Sequence, residues 1–171
     1  DVSVEAVKNS EMIFLEGYLW DEGDPKMAFD KAIKNSHKVS MSLSDKFCVD
    51  RHKNSFLDLV RKKLDITFAN EGEIMSLINA KNFNEVVTFA KETKKQLVIT
   101  RGEKGAISIK NNEISEIDSK KNLKIIDLTG AGDLFAAGYL HGYINNLSQK
   151  ECLEKGNELS AKIIQQIGAR F

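Results

Sequence analysis

The sequence predicts an α/β protein, and three observations carry that expectation. Short β-rich apolar runs alternate with segments whose apolar residues recur at helical spacing, as strands and helices taken in turn do. Each early run ends in a polar or glycine-bearing turn. Two glycines of Thr129-Gly130-Ala131-Gly132-Asp133 stand where a strand pattern gives way to a helical one.

In chain order, Met12–Leu15, Val39–Leu43, Ile66–Ala69 and Leu97–Thr100 read as short buried strands, most naturally parallel ones. Asp24-Pro25 offers an N-cap and a first-turn proline to a helix expected to turn Met27, Ala28, Ala32 and Ile33 inward. Helical spacing follows in Phe56, Leu57, Val60 and Leu64, then in Ile74, Leu77 and Ile78, then in Phe83, Val86, Val87 and Ala90. Ala106–Ile109 and Glu113–Ile117 flank Asn111-Asn112 as a hairpin would, giving the sheet an antiparallel edge. Lys124–Asp127 reads as a further strand, and a helix is expected from about Leu134 to Asn145. The last helix starts at Ser148, its N-cap, and runs towards Ile167 with a break near Gly156. There is no repeat or low-complexity tract, and one proline marks no domain boundary, so residues 1–171 form one domain or part of a larger one.

Composition excludes several function classes. Lys plus Arg is 25 and Asp plus Glu is 25, so no net field draws the chain to nucleic acid or an anionic membrane. The best apolar stretch, Leu134–Ile144, falls short of the roughly 20 residues that span a bilayer and is cut by Gly138, His141 and Gly142. Cys48 and Cys152 belong to no metal-ligand spacing and read as reduced thiols of a cytoplasmic protein. His37, His52 and His141 are scattered, and Arg61-Lys62-Lys63 reads as a solvated face. Tyr18 and Trp20 read as packed aromatics that could also line a cleft. Asp1-Val2-Ser3-Val4 lacks an initiator Met and a leader pattern, which suggests a chain truncated at its start.

Chemistry concentrates in Asp127-Leu128-Thr129-Gly130-Ala131-Gly132-Asp133. Glycines between a strand and a helix let backbone N–H groups converge, and the helix adds its positive end, so an anion can be held there. Read alone, the same segment serves as an ordinary tight turn with Asp133 as a first-turn acid. It is neither a P-loop, lacking G-x-x-x-x-G-K-[ST], nor a dinucleotide fingerprint, since Phe135 stands where the third glycine belongs.

In company, the motif resembles the signature of the ribokinase-like (PfkB) family of carbohydrate and nucleoside kinases. Asp127-x-Thr-Gly-Ala-Gly-Asp133 runs into Leu134-Phe135-Ala136-Ala137-Gly138, Asn70-Glu71-Gly72-Glu73 matches an N-x-x-E motif, and Thr100-Arg101-Gly102-Glu103-Lys104-Gly105 matches T-x-G-x-x-G. Leu128 departs from the small or β-branched residue usual there. The resemblance implies a three-layer α/β/α fold with a mostly parallel sheet, of which 1–171 is the C-terminal, ATP-binding and catalytic part. The N-terminal half, with its substrate segment, lid and customary dimer interface, would be missing. It implies ATP and Mg2+ as cofactors and transfer of the γ-phosphate to a hydroxyl of a sugar or nucleoside. In this reading Asp133 is the general base, and the amides of Gly130, Ala131 and Gly132 stabilise charge on the phosphoryl group. Thr100, Gly102 and Gly105 lie along the nucleotide's phosphates and ribose, and Asn157 flanks the adenine. Asn70 and Glu73 organise the metal and its waters. On residues alone Asn70 and Glu73 read as a capping box, and one Asn in a helix as solvated. Ser42–Phe47 resembles the adenosine-kinase-like branch. The rival expectation is a nucleotide-binding or assembly module without turnover.

Overall fold

A computed structural model describes residues 2–20 and 24–171; Asp1 of the N-terminal tetrapeptide lies outside them. Six strands are hydrogen-bonded in chain order into one sheet: β1 (Ile13–Glu16), β2 (Val39–Ser42), β3 (Ile66–Asn70), β4 (Gln96–Thr100), β5 (Ala106–Lys110) and β6 (Glu113–Ile117). The helices are α1 (Val4–Lys8), α2 (Pro25–Asn35), α3 (Lys46–Lys62), α4 (Glu71–Ile78), α5 (Phe83–Thr93), α6 (Ala131–Ile144) and α7 (Gln149–Ile163). The chain divides into two compact units. One runs to Leu97 and takes in Lys110–Asn112; the other comprises Val98–Ile109 and Glu113–Phe171.

In the first unit β1, β2 and β3 are parallel, with Ile13 opposite Val39 and Ser40 opposite Ile66. Near-continuous burial of Val39, Met41, Leu43, Ile66 and Phe68 fits strands covered on both faces. Asp65 sets the entry to β2 and β3: its Oδ2 accepts from Val39 N at 2.8 Å, and its own amide donates to Val39 O. At the other end Leu43 N donates to Phe68 O. Trp20 stacks edge-on against Phe29 and Phe56 at ring-centroid distances of 5.0 and 6.0 Å, so it packs as an aromatic of its size should.

In the second unit α6 lies against α7 so closely that glycines are needed on both sides. A Cβ on Gly138 would stand 2.6 Å from Lys155 O, and one on Gly156 2.7 Å from Phe135 O. Tyr139 on α6 is fully buried, and its hydroxyl meets Ser108 Oγ of β5 at 2.9 Å; Ser108 in turn donates to Gln149 Oε1. Burial pushes the Tyr139 phenol well above its usual range, against the pull of Ser108. Asn111, at φ +55°, turns β5 back into β6, the antiparallel edge the sequence predicts.

Three expectations are corrected. Lys124–Asp127 forms no strand: it is extended chain tied by Ile126 N to Ile164 O at 2.8 Å, with Ile125 and Ile126 exposed. α7 runs unbroken through Gly156, because that glycine serves the contact with α6 and does not interrupt the helix. On α2 it is Phe29 and Ala32 that are buried, while Met27 is 65% exposed, and Asp24 sits at the N-cap without a capping hydrogen bond. Among the described residues no helix is long and apolar enough to cross a membrane.

Candidate functional site

The second unit builds a cavity of about 690 Å³ bordered by Thr100, Gly102 and Gly105, by Ala131 and Gly132 at the start of α6, and by Asn157 on α7. Phe135, Ile125, Leu128 and Ile164 give it an apolar side. Six of the predicted site residues thus share one cavity of ordinary ligand size. Gly130 and Asp133 belong to the same turn but not to its lining.

Asp127 makes the turn. Its Oδ1 accepts from Thr129 N at 2.9 Å and Thr129 Oγ1 at 2.7 Å, and its Oδ2 accepts from Gly168 N at 2.9 Å. These bonds, that from Gly168 foremost, hold the Asp127 carboxyl down at about 2. Gly130 then caps α6 at φ +78°, a left-handed conformation costly to residues with a Cβ, and such a Cβ would stand 2.7 Å from that of Ala169. Segment 168–169 is therefore the seat of the turn. Asp127 stands in the motif itself, but Gly168, far along the chain, carries no sequence pattern that would mark it.

Of the three amides expected to converge, that of Ala131 donates to Leu128 O at 3.1 Å. Leu134 N makes the first helical bond, to Gly130 O at 2.9 Å. Between them, the amides of Gly132 and Asp133 have no hydrogen-bond partner among the described residues, as expected of a helix's first turn. Gly132 has neither a positive φ nor any atom within 4 Å of its would-be Cβ, so neither packing nor backbone conformation calls for glycine there. A group approaching the helix end would call for it. Asp133 is exposed, and its carboxylate has no partner among the described residues.

The loop after β4 closes on itself through Arg101 N to Gly105 O at 2.8 Å and Gly105 N to Gly102 O at 3.0 Å. Gly105, at φ +86°, would place a Cβ 1.9 Å from Ile117 O, so the chain leaving β6 passes directly over it. Asn157 does not point an idle amide at the cavity: its Nδ2 donates to Asp118 O at 3.1 Å.

In the first unit Asn70 and Glu73 form a complete capping box at the junction of β3 and α4. Asn70 Oδ1 accepts from Glu73 N, and the Glu73 carboxylate accepts from both the backbone N and the Nδ2 of Asn70. Burial pushes the Glu73 carboxyl up, Asn70 pulls it down, and the charges of Asp45 and Glu16 add to the rise. Ser44, at φ +69°, joins the neighbouring strand ends, donating to Glu16 Oε2 and accepting from Tyr18 N. Among the described residues no three His, Cys, Asp or Glu side chains gather as a metal cage. Asn70 and Glu73 offer oxygen atoms of the kind that a hard divalent cation or its waters accept as partners.

Comparison with known proteins gives the geometry its context. The chain is 30% identical over 181 residues to adenosine kinase of Dictyostelium discoideum, covering 95% of this chain and 52% of that protein. The crystal structure of adenosine kinase from Sinorhizobium meliloti superposes with a TM-score of 0.96 at 35% identity, over all of this chain and 54% of that one. An E. coli protein described as a ribokinase II, in complex with ATP and Mg2+, shares the fold at TM-score 0.88 and 19% identity, over 98% of this chain and 56% of its own. The chain thus spans about half the length of these relatives. The pattern of the pfkB family of carbohydrate kinases matches from residue 1 to residue 171. That match, with the Asp127–Asp133 turn and its seat in place, makes the chain a member of the pfkB carbohydrate kinase family.

Proposed function

We propose that the protein is an ATP-dependent kinase that transfers the γ-phosphate to a hydroxyl of a nucleoside or sugar, with a nucleoside favoured by its similarity to the adenosine kinases of Dictyostelium discoideum and Sinorhizobium meliloti. The observation that carries the reading is the exposed, unpaired Asp133 carboxylate beside the open amides of Gly132 and Asp133. A pure binding turn has no use for an acid there.

In this reading the substrate oxygen attacks the γ-phosphorus while its proton passes to the Asp133 carboxylate. The bond from that phosphorus to the β–γ bridging oxygen breaks, and ADP leaves with the electron pair. The amides of Gly132 and Asp133 face charge that grows on the transferred group, and they act without reorganisation because the helix fixes them. Mg2+ would neutralise part of the triphosphate's charge, and Asn70 and Glu73 are the residues assigned to the metal. Thr100, Gly102 and Gly105 are assigned to the phosphates and ribose, and the apolar side of the cavity to the base. The two free, buried cysteines, Cys48 and Cys152, suit a reducing cytoplasm.

The test is ATP-dependent phosphorylation of adenosine, ribose and fructose by the complete gene product and by Asp133→Asn. Loss of a general base costs about 10²–10⁴-fold in kcat, with ATP affinity retained. Equal turnover by the two proteins would refute the assignment.

A further inference from the structure

The wall of the cavity between Asp118 and Leu123 has no regular secondary structure, yet it supplies Ser119, Lys120, Lys121, Asn122 and Leu123 to the lining. Little packs behind it: Asp118, Lys120, Lys121 and Asn122 are exposed, and a second, outer groove of about 920 Å³ borders the same stretch at Asp118, Ser119 and Lys120. Two hydrogen bonds tie the stretch to the rest of its unit. Asn157 Nδ2 on α7 donates to Asp118 O at 3.1 Å, and Ser119 Oγ donates to Glu103 O at 2.7 Å, on the loop after β4. Among the described residues these are the hydrogen bonds that leave the 118–123 stretch; Lys121 Nζ to Ser119 Oγ stays within it.

We propose that Ser119 and Asn157 are positioning residues for nucleotide binding: a pair of latches that hold the 118–123 wall against the Gly102–Gly105 loop on one side and α7 on the other. Ile117 crosses over Gly105 just before the latched stretch, so the wall leaves β6 in a fixed direction. The next two residues decide whether it stays upright as the partition between the cavity and the outer groove. Asn157 acts through Asp118, to whose carbonyl its Nδ2 donates. With either latch removed, the wall samples more positions, and ordering it on binding costs affinity. Lys120 and Lys121 line the cavity on the same stretch, with exposed side chains that reach solvent whichever way the wall leans.

The inference rests on reading the cavity as the ATP site, and the experiment separates the two. Equilibrium binding of ATP and of inorganic tripolyphosphate is measured by calorimetry on the complete gene product and on Ser119→Ala, Ser119→Thr and Asn157→Ala. Ser119→Ala and Asn157→Ala are expected to bind ATP about three- to tenfold more weakly, the range for one lost hydrogen bond. Ser119→Thr, which keeps the hydroxyl, is expected to bind like the wild type. Tripolyphosphate, which the turn at α6 and the Gly102–Gly105 loop would hold without the wall, should bind all four proteins alike. Amide exchange in 118–123 should quicken in both alanine variants while the thermal midpoint holds. ATP affinity unchanged in Ser119→Ala would overturn the latch, as would a loss confined to Asn157→Ala, which is the signature of an asparagine reading the base directly. A wild-type protein that binds neither ATP nor tripolyphosphate would overturn the reading of the cavity itself.

Discussion

Asp127 shows how a residue with no part in the chemistry can fix the residues that have one. Its two oxygens bind Thr129 and Gly168, so a single carboxylate shapes the turn and fastens it to the C-terminal segment that Gly130 leans on. Both oxygens accept and neither donates, so the clamp depends on the ionised form. The carboxyl is held at about 2 in the folded chain, against about 3.9 for an unperturbed Asp. A depressed acid contributes stability that is fully present above the unfolded value and is lost as pH falls through the folded one. Asp127→Asn should therefore be less stable than the wild type at neutral pH, and the difference should shrink as pH falls from about 4 to about 2. Urea unfolding of both proteins across that range checks it. A gap that stays constant with pH would mean that the clamp does not act through its charge.

Among the elements, the contact of α6 with α7 makes the sharpest prediction. Alanine in a helix is normally better than glycine by up to about 1 kcal/mol, but at Gly138 the added methyl meets the backbone oxygen of Lys155 at 2.6 Å, and a carbonyl inside a helix cannot turn away. Overpacking of that kind costs about 1–3 kcal/mol, so Gly138→Ala should lose stability overall, by about 1–2 kcal/mol in thermal or urea unfolding. Gly132→Ala, with open space before it, should unfold like the wild type and show its defect in ATP binding alone. The two glycines look alike in the sequence, six residues apart on one helix, and their neighbours assign them opposite duties. This marks how much of the fold can be read in advance. Helix starts were legible where capping chemistry is local, as at Asn70 with Glu73 and at Ser148. The four early strands were legible as short β-rich apolar runs, and six residues of the cavity through motifs shared with the family, not through any local pattern of their own. Lys124–Asp127 was misread because isoleucines that are exposed or line a cavity give the same pattern as isoleucines in a sheet. The seat at 168–169 depends on a contact distant in sequence, which no local pattern records.

At the scale of the whole molecule the two ends of the sheet are guarded unequally. β6, at one end, carries Glu113 and Glu116 on exposed positions, and charge on an edge strand discourages pairing with another chain. β1, at the other, reads Ile13-Phe14-Leu15-Glu16, three apolar residues with no lysine, proline or bulge before its single acid. Phe14 is 38% exposed even though it leans edge-on against Phe68 at 6.0 Å. That is the composition of an inner strand, and its outer row of backbone groups is a template for pairing. Nothing long-range opposes such pairing, because 25 basic and 25 acidic side chains leave no net charge at neutral pH. The 171-residue chain produced alone should therefore self-associate with rising concentration, more readily near pH 7 than at pH 9, where deprotonation gives it a net negative charge. Phe14→Lys should suppress the association by placing a charge on the edge, and lose about 0.5–1.5 kcal/mol with the Phe68 ring contact. Light scattering or sedimentation across a concentration series decides the matter. If the wild-type chain and Phe14→Lys both stay monomeric at every concentration, β1 is not acting as an open edge, and the protection must come from the twist or burial of the strand instead of from its side chains.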